Sequence, residues 1–211
     1  MTKGNLILLG GGGHCKSVID VAESAGYNIV GILDKPETVG QQVLNYSIIG
    51  TDDDIPFYVD KAEFLITVGQ IKSNAIRIRL AELVKKAGGR FATSIANDAY
   101  VSKYADLGQG TVVMHKAMVN ANKKIGNQCI INTMADIEHD VTIGDFCHIS
   151  TAAVVNGEVK VGNNVFVGSR AVIHNCKQIA DDIIIAAGSV ASRNFDKPGI
   201  YAGNPAKFFG K

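Results

Sequence analysis

From Val101 to Ile185 an aliphatic residue stands at every sixth position without an insertion: Val101, Leu107, Val113, Val119, Ile125, Ile131, Ile137, Ile143, Ile149, Val155, Val161, Val167, Ile173, Ile179 and Ile185. Ordinary composition would fill only about three or four of fifteen such positions by chance. Four residues after each runs a second set that is mostly small or apolar, Ala105, Thr111, Ala117, Cys129, Ala135, Val141, Cys147, Ala153, Val159, Val165, Ala171, Ile183 and Ser189, with Lys123 and Lys177 as exceptions. A hexad repeat of this kind is the signature of a parallel β-helix in which three hexads close one triangular coil. Each aliphatic residue then points inward and stacks on the one a coil later, about 4.8 Å along the axis. The residue after the aliphatic one is often Gly or Asn (Gly108, Asn120, Gly126, Asn132, Gly144, Asn156, Gly162, Gly168), which reads as the place where the chain turns tightly. A prism of this kind leaves flat apolar flanks and exposed end coils, so a homotrimer is expected, with caps at both ends.

Residues 1–95 have a different grain. Asn5 to Leu9 is an apolar run that ends in Gly10-Gly11-Gly12-Gly13-His14 and opens a helical pattern carrying Val18, Ile19, Val21 and Ala22, with Gly26 as its stop. Ile29 to Leu33, Tyr46 to Ile49 and Phe64 to Val68 read as strands, and Asp52 to Asp54 as an acidic helix start. Ser73 or Asn74 is placed to cap a helix bearing Ile76, Ile78, Leu80, Leu83 and Val84 up to Gly88-Gly89. The chain therefore divides into a βαβ (Rossmann-like) α/β domain, 1–95, and an all-β parallel β-helix with a C-terminal tail, 96–211.

Composition narrows the function. Lys plus Arg number 21 against 20 Asp plus Glu, a net charge of +1 with no like-charged run, so nucleic acid is not an expected partner. No apolar stretch approaches the roughly 20 residues of a spanning helix, and the N-terminus lacks a signal peptide's apolar region and cleavage site. No membrane insertion and a cytoplasmic location are expected. Cys15, Cys129, Cys147 and Cys176 form no CxxC pair and read as reduced, mostly buried thiols.

Hexads ending in Tyr201-Ala202-Gly203-Asn204-Pro205-Ala206-Lys207, behind a glycine-rich βαβ domain, resemble the left-handed β-helix sugar acetyltransferases. Within these the whole chain is similar to the subfamily of bacterial nucleotide-sugar N-acetyltransferases and sialic acid O-acetyltransferases. The resemblance implies a left-handed helix, acetyl-CoA bound as co-substrate between neighbouring protomers, and a histidine general base.

In the family the segment matching Asn132 to Asp140 carries that base, which makes His139 the candidate. His139 lies two residues after inward-pointing Ile137 and so is expected to project outward. An imidazole of near-neutral pKa suits deprotonation of an amine or hydroxyl attacking a thioester, and Glu138 or Asp140 can orient it. The family pattern also matches at Asn132, where polar contacts around the base are expected. The resemblance gives His148 a role near the acyl-CoA carbonyl. Gly157 follows His139 by 18 residues, hence one coil above it, where a residue without a side chain admits the thioester to the backbone. For CoA the resemblance points to Gly168, Ala186, Ala187 and Gly188, with Gly203, Asn204, Pro205 and Lys207 near the adenine and 3′-phosphate.

The glycine loop follows a strand and opens a helix, the setting of a phosphate cradle, although GxGxxG fails at Cys15 or Lys16 and no Walker lysine exists. NAD and ATP are therefore poor guesses. By resemblance this domain holds the nucleotide of a nucleotide-linked sugar: Gly11, Gly12, Gly13 and His14 at the diphosphate, Asp34 and Lys35 at the base or ribose, and Gly69 lining the pocket. No metal is expected. Some β-helices bind zinc through three histidines, but His139 and His174 are 35 residues, nearly two coils, apart. That is roughly 10 Å along the axis, against Zn–N bonds of about 2.0–2.1 Å.

What the resemblance implies, then, is transfer of acetyl from acetyl-CoA to the C4 amine of a nucleotide-linked dideoxy amino sugar, by direct attack, since no Ser or Cys nucleophile accompanies His139. O-acetylation of sialic acid or another sugar is the alternative within enzymes, and a silent β-helix scaffold is the alternative outside them.

Overall fold

The computed structural model describes residues 3–71 and 73–210. Its contacts divide into two compact units, Met1–Asn97 and Asp98–Lys211.

The first unit is built on five strands, β1 (Gly4–Leu9), β2 (Tyr27–Leu33), β3 (Gln42–Val43), β4 (Tyr46–Gly50) and β5 (Glu63–Ile66), in the order β3-β4-β2-β1-β5. All neighbours are parallel except the short edge pair β3–β4. Central parallel strands are covered on both faces and so read as unbroken apolar runs; Leu6, Ile7, Leu8, Leu9, Ile32, Leu33, Phe64, Leu65 and Ile66 are fully buried. Helix α1 (Gly13–Ser24) buries Cys15, Val18, Ile19, Val21 and Ala22. Ile7, Leu9, Leu33, Phe64 and Ile66 form one cluster with Leu80 and Val84 of helix α2 (Ala75–Lys86).

Two details depart from the sequence expectation. Ile76 is 55% exposed, and Arg77 takes the inward place instead, because positions 77, 80 and 84 share the face turned to the sheet. The Arg77 guanidinium donates from Nη1 to the carbonyls of Ile66 and Val68 at 3.2 and 2.6 Å, at the C-terminal end of β5. Asn74 is the cap residue of α2 but makes no side-chain cap bond, whereas the Ser73 hydroxyl accepts the Ala75 N–H at 3.2 Å.

The second unit is a left-handed parallel β-helix. Two- and three-residue strands stack at an 18-residue register into three sheets, with Met118 opposite Asp136 and Asp136 opposite Val154 in one, Lys124 opposite Thr142 and Thr142 opposite Lys160 in the next, and Ile130 opposite His148 and His148 opposite Phe166 in the third. The hexad aliphatics from Val113 to Ile185 are all buried, while Val101 and Leu107 of the first coil are half-buried. The top coil is closed by Phe195 stacked on Tyr201 at 3.9 Å and by the hairpin of Gly199–Gly203 with Ala206–Gly210.

The turns are made differently from the expectation. The left-handed conformation falls on the third residue after each aliphatic, from Gly110 through Lys116, Asn122, Gln128, Met134, Asp140, Phe146, Ala152, Glu158, Asn164, Arg170, Cys176 and Asp182 to Gly188. The glycines directly after the aliphatics serve close approach instead: a Cβ on Gly144 would lie 2.6 Å from Asn163 Oδ1 and 2.7 Å from the Gly162 carbonyl oxygen. Along one edge, backbone N–H groups of Gln109, Asn127, Asp145 and Asn163 each donate to the side-chain Oδ1 of the residue one coil on, Asn127, Asp145, Asn163 and Asp181, at 2.7–2.9 Å. No helix among the described residues is long and apolar enough to cross a membrane.

Candidate active site

His139 occupies the corner between the strands Asp136–Ile137 and Thr142–Ile143. Ile137 must fill the prism, so alternation turns Glu138 outward; the strand ends at Ile137, and the corner that closes at left-handed Asp140 carries His139 outward as well. The His139 side chain is 59% exposed, and its Nδ1 meets Asp140 Oδ2 at 2.9 Å. The backbone N–H of His139 donates to Glu138 Oε2 at 3.3 Å. Both carboxylates flanking the ring are thus bonded to it or to its backbone. The bond to His139, followed by one from Asn122, holds the Asp140 carboxyl below its ordinary range.

Gly157 lies directly against the imidazole. A Cβ there would stand 2.7 Å from both Cε1 and Nε2 of His139, closer than real Cβ atoms approach anything. The 18-residue spacing therefore has a steric meaning: any larger residue would displace the ring.

A hydrogen bond between Nδ1–H and Asp140 leaves Nε2, beside Gly157, with its lone pair free to accept a proton.

Beneath this corner Lys123 is 3% exposed and its Nζ is shut off from solvent with no hydrogen-bond partner among the described residues. Burial pulls its pKa down from 10.5 to about 8, against the attraction of Glu138, Asp140 and Asp136. Asp136, whose Oδ1 is likewise enclosed, is shifted up by burial and by the charge of Glu138. Lys123 occupies one of the inward positions that broke the small-residue pattern.

Asn132 does not join His139 within the chain. Its Nδ2 lies 3.0 Å from Nε2 of His148, on the next strand of the same sheet, and His148 is 6% exposed with Phe166 set edge-on at 5.2 Å. Asn132 follows Ile131, which pairs with Ile149, so the two polar side chains flank one rung of the ladder. Of the positions assigned to CoA, Gly168 packs against the Ala186-Ala187 backbone, Gly188 is left-handed, and Asn204, Pro205 and Lys207 are exposed at the hairpin turn with Gly203.

In the first unit a cavity of about 450 Å³ opens over the C-terminal ends of β1, β2 and β5. Gly10, Gly11, Gly12, Gly13, His14, Asp34, Lys35 and Gly69 line it together, as parallel α/β sheets place their crevices. Gly10 is left-handed at φ +105, and a Cβ on Gly11 would lie 2.9 Å from Asp34 Oδ2, so neither admits a side chain without a shift. Thr67 braces the loop by donating to the carbonyls of Leu9 and Gly10 at 3.0 and 2.5 Å. Burial raises the Cys15 thiol to about 11 and raises that of Cys147 as well, so neither is a thiolate nucleophile at neutral pH.

The lining also holds Arg79 and Asp52, joined at 2.6 Å, which sequence reasoning missed. A basic residue on the exposed side of the second helix was the one available signal. Among the described residues no group of three His, Cys, Asp or Glu is arranged to hold a metal; His115 is paired with Asp98 at 2.6 Å.

A left-handed hexad coil with an outward histidine–carboxylate pair beneath a bare glycine, joined in sequence to a glycine-loop α/β unit, defines an acyltransferase of the hexapeptide-repeat class. The family model of the PglD N-terminal domain matches residues 5–84. Over its whole length the chain is 30% identical to perosamine N-acetyltransferase from Caulobacter crescentus, covering 100% of this chain and 99% of that one at a TM-score of 0.92; that structure is a histidine-to-asparagine mutant in complex with CoA and GDP-perosamine. It is 30% identical to the acetyltransferase domain of PglB from Neisseria gonorrhoeae, covering 98% and 100% at a TM-score of 0.89. WeeI from Acinetobacter baumannii, 19% identical with a TM-score of 0.85, shares the fold over 97% of this chain and 99% of its own. An uncharacterized protein of Acanthamoeba polyphaga mimivirus is 35% identical over 106 residues, half of this chain and 20% of that protein's length. The chain belongs to the hexapeptide-repeat nucleotide-sugar acetyltransferase family.

Proposed function

We propose that this protein transfers the acetyl group of acetyl-CoA to an amino group, that at C4, of a nucleotide-linked dideoxy amino sugar, with His139 as general base. The observation that carries the reading is the His139–Asp140 pair set against Gly157. Two structures named as an N-acetyltransferase and an acetyltransferase domain, each 30% identical and matched over nearly the whole of this chain, support it, one of them bound to CoA and a nucleotide-linked amino sugar. Asp140 holds the Nδ1–H tautomer, and Nε2 takes a proton from the amine as its nitrogen attacks the thioester carbonyl. As imidazolium, His139 is stabilised by Asp140 and returns the proton to the departing thiolate of CoA. Glu138 fixes the backbone of the base, and Gly157 keeps the approach to the ring open.

His148, steadied by Asn132, is assigned to the acyl-CoA carbonyl, and Gly168, Ala186, Ala187, Gly188, Asn204, Pro205 and Lys207 to the remainder of CoA. His139 and His148 belong to different sides of one prism, so a homotrimer, in which side faces meet, is the assembly this site needs. The diphosphate is assigned to Gly11, Gly12, Gly13 and His14, and the base or ribose to Asp34, Lys35 and the Gly69 edge.

Thermal-shift screening against CoA, acetyl-CoA and UDP-, GDP-, dTDP- and CMP-linked sugars tests the reading first. A ligand at one hundred times its Kd adds about 2.7 kcal/mol of stability. Shifts with CoA and with one nucleotide class are expected, followed by thiol release from acetyl-CoA in the presence of the corresponding 4-amino sugar. His139→Asn is expected to lose turnover while keeping both shifts and a trimeric sedimentation profile. Retained turnover in that variant would remove His139 as the base, and a shift with CoA alone would move the acceptor to a free or polymeric sugar hydroxyl.

A further inference from the structure

None of the residues in the coil beneath His139 takes part in the proposed transfer, yet three of them converge on the corner above. Asn120 Nδ2 donates to Glu138 Oε2 at 3.1 Å, and its own Oδ1 is held by the Ala121 N–H at 2.8 Å. Asn122 Nδ2 donates to Asp140 Oδ1, the oxygen that His139 does not use. Both carboxylates that touch the base or its backbone are therefore gripped from below by an amide, each across one 18-residue rung. Lys123, sealed into the same corner, places a cation under the two carboxylates.

Resting on the reading of His139 as the base, we propose that Asn120 and Asn122 are positioning residues for it: Asn122 docks Asp140 so that His139 is held as the Nδ1–H tautomer, and Asn120 docks Glu138 so that the backbone of the base stays fixed. A carboxylate has two oxygens, and one held oxygen fixes the direction of the other. If Asp140 were free to rotate, the exposed imidazole would sample both tautomers, and in the wrong one Nε2 carries a proton and cannot accept another.

The same device elsewhere in the coil supplies a control. Asn164 Nδ2 donates to Asp182 Oδ1 at 3.1 Å across one rung, at a corner with no histidine. Asn122 and Asn164 are both left-handed, at φ 58 and 60. Replacement by glycine therefore removes the amide without straining the turn.

The test uses the full-length protein with ring-15N histidine. Imidazole 15N shifts report the tautomer directly, and His139→Asn assigns the signal. In the neutral ring of the wild type, His139 is expected to carry its proton predominantly on Nδ1. Asn122→Gly is expected to shift it to a mixture of tautomers and to lower kcat roughly tenfold with both KM values unchanged. Asn122→Ser, which restores a donor, is expected to recover part of both effects. Asn164→Gly is expected to leave tautomer and kcat as they are. An Asn122→Gly protein that folds, keeps the Nδ1–H tautomer and turns over at the wild-type rate overturns the proposal. Should His139→Asn retain turnover, the base reading itself fails, whatever the Asn122 variant does.

Discussion

A Cβ placed on Gly157 would sit 2.7 Å from Nε2 of His139, so the imidazole fills the space that a side chain one coil above it would need. Gly157→Ala forces the ring aside by a few tenths of an ångström or more. A misplacement approaching 1 Å can lower the rate about 10²-fold. The expected result is a large fall in kcat at little change in the CoA-induced thermal shift. Wild-type kcat in this variant would show that the ring does not act from its observed position.

Lys123 carries a pH signature of its own. Its folded pKa, about 8, lies below the ordinary 10.5, so between those values the unfolded chain holds a proton that the native one has released. Stability linked to Lys123 therefore rises with pH across that window and is lowest where the amine is charged in both states. The ceiling is about 1.4 kcal/mol per unit of separation. Asp136, Glu138 and Asp140 face the amine and soften the penalty. Urea unfolding of wild type and Lys123→Met from pH 7 to 10 is expected to show their difference in stability moving in favour of the wild type as pH rises; a pH-independent difference would refute the shift.

Arg79 stands at the mouth of the glycine-loop cavity on its bond to Asp52. A charge-assisted hydrogen bond to a ligand is worth about 1.5–3 kcal/mol, or roughly 10- to 150-fold in affinity. Arg79→Ala is expected to raise KM for the nucleotide sugar within that range and to leave the thermal shift with CoA intact. Equal weakening of both ligands would place Arg79 outside the nucleotide site.

Ala152 adopts φ 55 at a coil corner, where an L-residue costs about 1–2 kcal/mol relative to a right-handed conformation. Part of that is returned by glycine's greater freedom when unfolded. Ala152→Gly should therefore stabilise the protein by about 0.5–1 kcal/mol in chemical denaturation, and a destabilised variant would mean that the methyl group packs better than its conformation costs.

Much of this molecule could be read before its structure. The six-residue period announces the β-helix because inward packing recurs without interruption, and the same arithmetic set Gly157 above His139. Other features left no linear trace. The left-handed corners accept Lys116, Met134, Phe146 and Arg170, so no residue type marks them. Asn132 opens the segment that carries His139 in sequence but meets His148, because neighbours across a rung are 16 to 18 residues apart. Arg79 and Asp52 are 27 residues apart and are joined only by the packing of the α/β unit. Arg77, charged yet buried, was hidden behind Ile76 and Ile78, which share its helix but not its inward face.

The unbroken run of left-handed corners from Gly110 to Gly188 makes the coil a thread of fixed pitch. A thread has no slack: one residue added between two corners cannot be absorbed where it falls, and every rung above it is re-indexed. Insertion of a whole turn lifts the upper coils without rotating them, whereas insertion of a single hexad swings everything above by a third of a revolution. Length variation tolerated below His139 should therefore come in whole turns, and between His139 and Gly157 there is room for none.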